Sequence, residues 1–287
     1  MMIAAAALLW GAVLWRVVLT IVRGWAGWRG MITVATFCLA LVITGIVWRG
    51  PVDDFLGVAN LGGLVARVAV ILAILTGHWT LIPTSRRTRA WMGWEAATAA
   101  VVLVFAWVMA PLHDHEVLDL RPLSAASIPV AVYTVGIDVH LCVAGVLLAI
   151  GWIRVSRRSF RDGDKIAAVT LGTGAAAVVA GVVASGLLLL QVLYELRHIV
   201  LPVWLGTTAV NGVIGLTGAL AATALFFFPI GEWLVAQQQL RKVTPGWQSA
   251  IAEHPGIYLP LGWWARIWRP QLVLHRRRLE LEDAASQ

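Results

Sequence analysis

Charged residues are scarce in this chain. Asp, Glu, Lys and Arg make up 13% of its 287 residues, and 60% are hydrophobic, whereas soluble globular domains carry about 25% charged residues. This composition excludes a soluble protein and predicts a polytopic membrane protein with the lipid bilayer around it. The net charge of +7 is spread over short segments, so it does not predict a nucleic-acid partner.

Cysteines and catalytic motifs are also few. Cys38 and Cys142 both lie inside apolar runs and form no C-x-x-C pair, so no disulfide is predicted. The chain has no Gly-x-Ser-x-Gly, His-Glu-x-x-His or phosphate-loop motif, which makes an enzyme the less favoured class. No basic segment precedes the first apolar run, so this run is expected to be a membrane span and not a cleavable signal peptide.

Long apolar runs are what the chain has instead. A membrane-spanning helix needs about 20 mainly apolar residues, and seven runs meet this test: approximately 3–22, 31–49, 62–83, 91–112, 128–153, 166–194 and 206–234. None shows the alternation of a barrel strand, so the predicted fold is an all-α bundle of seven transmembrane helices. The bundle covers residues 1–234, and residues 235–287 form a tail.

The basic residues predict the orientation of this bundle. Of the 22 Lys and Arg residues, 17 follow odd-numbered spans and three follow even-numbered spans. Cytoplasmic segments of membrane proteins carry the excess of Lys and Arg, so the N-terminus is predicted outside and the C-terminus in the cytoplasm. The expected location is the inner (plasma) membrane.

Tryptophans and small residues indicate how the spans are arranged. Several of the 16 Trp residues, among them Trp91, Trp152 and Trp233, fall where a span should meet the lipid headgroups, as in an aromatic belt. The sixth span, 166–194, is rich in Gly and Ala, which predicts a close helix-packing face at the centre of the bundle.

The tail is predicted to be cytoplasmic and broken into short pieces. It contains four prolines: Pro245, Pro255, Pro260 and Pro270. Proline interrupts helices, so we expect short segments, one of them an aromatic and basic helix at the membrane surface around residues 263–269. The charged helix from Leu272 onward is expected to contact water, anionic lipid or a cytoplasmic protein partner.

Motifs in the tail resemble those of one membrane-protein family. Pro255-Gly-Ile-Tyr-Leu and the stretch from His275 to Asp283, with Trp268 between them, are similar to an actinobacterial family of seven-helix membrane proteins described as transporters. Its members end in a cytoplasmic segment of unknown function with a basic-basic-x-x-Glu-x-x-Asp signature. The matching residues are Arg276, Arg277, Glu280 and Asp283. The resemblance implies transport. The family's tail usually continues past the position of Gln287, so activity of that longer tail is not implied.

Ionisable side chains inside the spans are the candidate functional residues, because such groups normally face a bundle interior or a water-filled cavity. Asp138 and His140 lie near the middle of the fifth span, on different faces of its helix. His78 in the third span is at a similar depth to His140, and Arg67 lies above it. With Asn211, these residues are predicted to line a solute or proton pathway. The equally weighted alternative is a buried ion pair that joins spans three and five.

Two cofactor sites are less favoured interpretations. His78 and His140 are the minimum for a b-type haem, against the favoured alternative of two hydrogen-bonded histidines. The segment after span four offers ligands for a divalent metal, against the favoured alternative of a solvated acidic loop. The metal-site candidates are His113, His115, Glu116 and His198.

The predicted function is transport or sensing of a small, lipophilic molecule through an intramembrane cavity that includes Asp138, His140 and His78. In the sensing version, the tail passes the signal to a cytoplasmic partner. The alternative is a membrane-embedded enzyme, or a metal or haem protein, that uses the histidines.

Overall fold

Long helices make up almost all of the structure. A computed structural model describes residues 2–23, 27–47, 49–56, 58, 60–81, 86–110, 127–258, 261 and 270–286, which contain no strand. The helices are α1 (Met2–Arg23), α2 (Gly27–Val47), α3 (Arg49–Leu56), α4 (Leu61–Leu81), α5 (Arg86–Met109), α6 (Ile128–Arg161), α7 (Lys165–Leu196), α8 (Thr207–Glu253) and α9 (Pro270–Ser286). Short 3-10 turns at Val203–Leu205 and Pro255–Ile257 flank α8. The all-α prediction is confirmed for this part of the chain.

Five helices are long and apolar enough to cross a membrane: α4, α5, α6, α7 and α8. Helices α1 and α2 contain shorter apolar stretches, Ile3–Val18 and Ile32–Val42. Large apolar side chains such as Val101 and Phe105 on α5 are exposed, which suggests contact with lipid. The chain is thus a multi-pass membrane protein by the length and composition of its helices, and the seven-span topology with its orientation stays a prediction.

Six of the helices form a closed ring. Helix α2 packs between α1 and α4, α4 contacts α6, α7 lies between α6 and α8, and α8 returns to α1. Helix α5 packs outside the ring, against α4 and α6. The contact between α4 and α6 confirms the predicted neighbourhood of spans three and five.

Glycines set the close approach of α6 to α7. A Cβ at Gly145 on α6 would lie 2.6 Å from Cγ2 of Val182 on α7. A Cβ at Gly174 on α7 would collide with the Trp152 ring on α6, and a Cβ at Gly77 on α4 would lie 3.6 Å from the same ring. Small residues therefore make room for Trp152 inside the bundle, as the composition of the sixth span predicted for a packing face.

A buried carboxylate fixes the start of α4. Asp53 in α3 is buried and accepts hydrogen bonds from the backbone N–H groups of Asn60 at 2.7 Å and Gly62 at 2.6 Å. Asn60 has a φ of 61°, in the left-handed region that Asn tolerates better than most residues. These bonds satisfy N–H groups that a helix start leaves without an internal partner.

The prediction that the tail is broken at Pro245 is wrong. Helix α8 runs unbroken through residues 229 and 245, both prolines, to Glu253. Its 47 residues correspond to about 70 Å, more than twice the ~30 Å hydrocarbon core of a bilayer. The proposed domain boundary at residues 234/235 falls inside this helix, so the tail begins as a continuation of the last span.

Helix α9 packs back onto the extended part of α8. Leu240 on α8 forms an apolar cluster with Val273 and Leu274 on α9. The proposed surface helix around residues 263–269 lies outside the described residues.

Candidate functional site

The ring of six helices surrounds a cavity of about 450 Å³, within the range of roughly 300–1,000 Å³ typical of small-molecule sites. Its described lining comes from α1, α2, α4, α6, α7 and α8, with none from α5. Most of the lining is aliphatic, with Ala and Gly on α7, Ala on α8, and Leu141 and Leu148 on α6. Such a wall offers apolar contacts and few polar partners, so it suits a lipophilic molecule.

Trp152 belongs to this cavity and not to the aromatic belt that the sequence predicted. Its ring lines the cavity and lies against Gly174. Its Nε1 is buried and finds no hydrogen-bond partner among the described residues. The position near one end of a predicted span suggested a headgroup contact, but the helix continues past this point, to Arg161, and the Trp152 ring packs against α7.

Arg16 brings a guanidinium to the cavity wall. Its side chain is 6% exposed, lines the cavity and donates from Nη2 to the carbonyl oxygen of Leu225 on α8 at 2.9 Å. Residue 229, four positions further along α8, is a proline and has no N–H with which to bond that carbonyl. Arg16 therefore supplies the donor that the helix lacks and ties α1 to α8.

Asp138 and Arg67 lie near one another, as predicted. Asp138 of α6 interacts electrostatically with Arg67 of α4 and with the Ser185 hydroxyl of α7. The Arg67 guanidinium lies 4.4 Å from the centroid of the Tyr133 ring and donates to its hydroxyl at 3.2 Å. The interaction with α7 was not predicted, because no sequence pattern places Ser185 beside Asp138.

His140 pairs with Glu95, which was not among the predicted pathway residues. Its Nδ1 lies 2.9 Å from Oε1 of Glu95 on α5. His78 on α4 is 4% exposed, contacts the carbonyl oxygen of Ile74 through Nδ1 at 3.0 Å and interacts electrostatically with both Glu95 and His140. The predicted proximity of His78 to His140 is thus present in the structure, with a carboxylate from α5 beside them.

The predicted pathway residues do not lie in the described wall of the cavity. Arg67, His78, Asp138, His140 and Asn211 are all absent from its described lining. Gly77 and Leu141, the chain neighbours of His78 and His140, do line it. Adjacent residues on a helix point about 100° apart, so the helix faces that carry the histidines turn away from the cavity towards α5.

The proposed metal site is largely beyond the described residues, which do not include His113, His115 and Glu116. His198 is described: it is exposed, with a φ of 53° just after the end of α7. Within the described parts of the chain, no group of three or more His, Cys, Asp or Glu side chains is arranged to hold a metal ion.

Three of the four tail-signature residues make contacts that anchor or brace α9. Glu280 is 4% exposed and accepts a hydrogen bond from Trp247 Nε1 of α8 at 2.5 Å. The Arg277 guanidinium lies 4.3 Å from the centroid of the Trp247 ring and donates to the Thr244 hydroxyl. Arg276 lies 3.9 Å from Glu280, whereas Asp283 is exposed. The signature thus has an intramolecular role in this chain.

Comparisons with protein-family models, with curated proteins and with solved structures find no match to this chain.

Proposed function

We propose that this chain binds a small lipophilic molecule in the six-helix cavity and that it transports or senses that molecule. The observation that carries the proposal is the cavity itself: about 450 Å³ inside the ring, with an almost wholly apolar wall. The proposal keeps the predicted class of function and moves its site from Asp138 and the histidines to the neighbouring cavity. Seven spans, an outside N-terminus, a plasma-membrane location and membership of the actinobacterial family are parts of the same proposal.

Photo-crosslinking tests the binding step. The protein in phosphatidylcholine nanodiscs would be irradiated with an alkyl probe that carries a diazirine in its chain, and the labelled residues would be located by mass spectrometry. We expect labels on cavity-lining segments of α7 and α8, and loss of these labels in Ala177→Phe, which fills the cavity. Ala176→Phe is the matched control, because Ala177 lines the cavity and Ala176 is exposed on the same helix. Equal labelling in both variants would overturn the proposal.

The continuity of α8 favours sensing as one form of this function. Ala221 and Leu225 of α8 line the cavity, and further along the same helix Thr244 and Trp247 hold α9. A change at the cavity can therefore reach the tail through a single helix.

Crosslinking between α8 and α9 tests the sensing version. Arg278 donates to Gln239 at 3.1 Å, so the double variant Gln239→Cys/Arg278→Cys places one thiol on each of the two facing helices, within reach of a bifunctional thiol reagent. In the sensing version, occupation of the cavity changes the rate at which this reagent crosslinks the two cysteines. An unchanged rate, together with probe uptake into protein-containing vesicles, would favour transport.

A second candidate function is proton-coupled movement, supported by the ionisable groups that α4, α5 and α6 bring together. Asp138 would carry the proton and His140 would relay it, a role typical of ionisable side chains inside a membrane span. Asp138→Asn is expected to abolish proton coupling in vesicles, whereas unchanged coupling in a folded variant would make Asp138 structural. The membrane-enzyme and haem alternatives rest on the same histidines, and a purified protein without a Soret band would reject haem.

A further inference from the structure

The polar groups of the cavity are few, and they are mainly hydrogen-bond donors. Only Arg16, Trp152, Thr170 and Thr217 bring polar side-chain atoms to the described lining, and none of the described lining residues is Asp or Glu. The Thr217 hydroxyl already donates to the Val213 carbonyl at 2.9 Å. A guanidinium and an indole N–H donate and do not accept, and a hydroxyl does both.

Two of these groups are buried without a partner. Trp152 Nε1 and Thr170 Oγ1 find no hydrogen-bond partner among the described residues. A buried donor left unsatisfied costs roughly 1–3 kcal/mol, so buried polar groups in proteins normally have a partner. Both groups lie in the wall of a cavity large enough for a ligand, and a ligand with acceptor atoms would satisfy them.

The polar groups are concentrated towards one end of the cavity. Trp152 lies roughly two and a half turns before the end of α6, and Thr170 lies roughly one and a half turns after the start of α7. Both are therefore towards the end of the bundle that carries the turn between α6 and α7, Asp162–Asp164. Arg16 is roughly two turns before the end of α1 and bonds Leu225 of α8. Gly231, further along α8, lies against Ile166 at the start of α7, so Arg16 is towards the same end of the bundle. The opposite part of the cavity, around Leu141 and Val182, is aliphatic apart from Thr217, whose hydroxyl is bonded to its own helix.

We propose that the ligand is a lipophilic anion: a molecule with an aliphatic body and a phosphate or carboxylate head. The head lies at the Arg16, Trp152 and Thr170 end, where a positive charge and two further donors meet an acceptor-rich group. The body fills the aliphatic part of the cavity. A cationic amphiphile is disfavoured, because the guanidinium repels it and the described wall offers no carboxylate. This inference rests on the proposed binding function and specifies its ligand.

Three probes with the same diazirine-bearing alkyl chain test the inference: an alkyl phosphate, the alcohol and the trimethylammonium compound. Each would be crosslinked to the protein in phosphatidylcholine nanodiscs at neutral pH and mapped by mass spectrometry. We expect the phosphate to label the cavity segments at concentrations about tenfold or more below those of the alcohol, and the cation to label least. Trp152→Phe and Thr170→Val remove one donor each with little change of shape, and each should reduce the preference for phosphate over alcohol.

The variants separate failure of this inference from failure of the proposed function. In the double variant Arg16→Met/Pro229→Ala, the positive charge is removed and the N–H of Ala at residue 229 replaces the lost donor to Leu225. This variant should abolish the preference for phosphate over alcohol. If the phosphate and the alcohol label the wild-type cavity equally, and Ala177→Phe removes both labels, the ligand is not an anion and the cavity remains a lipophilic site. If the preference for phosphate is unchanged in the double variant and in the donor variants, Arg16, Trp152 and Thr170 do not bind the head, and the proposed anion site is wrong. Absence of cavity labelling by all three probes would overturn the binding function itself.

Discussion

The hydrogen bond from Arg16 to Leu225 predicts a specific coupling between Arg16 and Pro229. Because residue 229 is a proline, the Leu225 carbonyl has no helical donor, and Arg16 Nη2 bonds it at 2.9 Å. A hydrogen bond to a charged group contributes about 1.5–3 kcal/mol, and the loss of a donor leaves a buried carbonyl unsatisfied. Arg16→Met alone should therefore lower the free energy of unfolding by about 2 kcal/mol.

Pro229→Ala changes the size of that loss. An alanine at this position has the N–H that α8 needs to bond Leu225 internally, so the carbonyl no longer depends on Arg16. In the P229A background, Arg16→Met should cost about 1–2 kcal/mol less than in the wild-type background. Unfolding of the four proteins in mixed micelles with increasing dodecyl sulfate, followed by circular dichroism, measures this coupling.

The double-mutant cycle can refute the argument. Independent sites add to within about 0.3–0.5 kcal/mol. If Arg16→Met costs the same in both backgrounds within that margin, the guanidinium does not replace the missing helical donor, and Arg16 contributes to stability in some other way.

Three further variants test other contacts. Glu280→Ala removes the acceptor of the Trp247 N–H and should release α9 from α8, with cleavage by trypsin at the adjacent arginines about tenfold faster because α9 opens more often. Asp53→Ala removes two hydrogen bonds from the start of α4 and should lower the free energy of unfolding by about 1–2 kcal/mol in the micelle assay. Gly145→Leu should force α6 away from α7, because a Cβ at this position would lie 2.6 Å from Val182. It should lower the free energy of unfolding by about 1–3 kcal/mol or more.

Each of these variants has a matched control on the same element. Glu282→Ala and Asp54→Ala alter exposed carboxylates, and Gly136→Leu adds a side chain on an exposed part of α6 whose nearest contact is 4.0 Å away. Controls that behaved like the test variants would show that the measured changes come from altered surface charge or side-chain size and not from the contacts.

The long helices could be predicted from the sequence because a bilayer requires long apolar segments whose backbone bonds are internal. The proximity of His78 to His140 could also be predicted, since depth along two neighbouring spans follows from the rise per residue. Their partner Glu95 could not, because which face of α5 meets α6 depends on helix rotation. Each of the seven predicted apolar runs overlaps one long helix: α1, α2, α4, α5, α6, α7 or α8. Five of these helices are long and apolar enough to cross a membrane.

The cavity could not be predicted, because it results from the packing of six helices. A lining residue such as Ala177 or Leu148 has no local signal that separates it from a residue in a well-packed core. Arg16 did have a signal, as a charge inside an apolar run, together with a proline in the last span that leaves a carbonyl without its donor. Arg16 can bond the freed carbonyl only if α1 lies against α8. That contact depends on how the six helices close into a ring, and no sequence pattern indicates it.

The two prolines of α8 show why a proline within a helix is a weak predictor of its end. Pro245 removes the donor to the carbonyl of Arg241, but both residues are exposed, so water can bond that carbonyl. Pro229 removes the donor to Leu225, which lines the cavity, and a side chain of another helix replaces that donor. In both cases the helix continues because the freed carbonyl has another donor.

Pro229 also lies between the two functional parts of α8. Leu225 on one side of it lines the cavity, and Trp247 on the other side holds α9. At this point α8 has one internal hydrogen bond fewer, and the replacement comes from Arg16, the residue that we propose binds the head of an anionic ligand.

A bound anion would compete with Leu225 for the guanidinium, loosen α8 at Pro229 and so change the position of α9. We therefore expect the alkyl phosphate to alter the rate at which the bifunctional thiol reagent crosslinks cysteines at positions 239 and 278, and to lose that effect when Arg16→Met and Pro229→Ala are combined. An effect of equal size in the combined variant would show that the ligand reaches the tail by a route that does not involve Arg16.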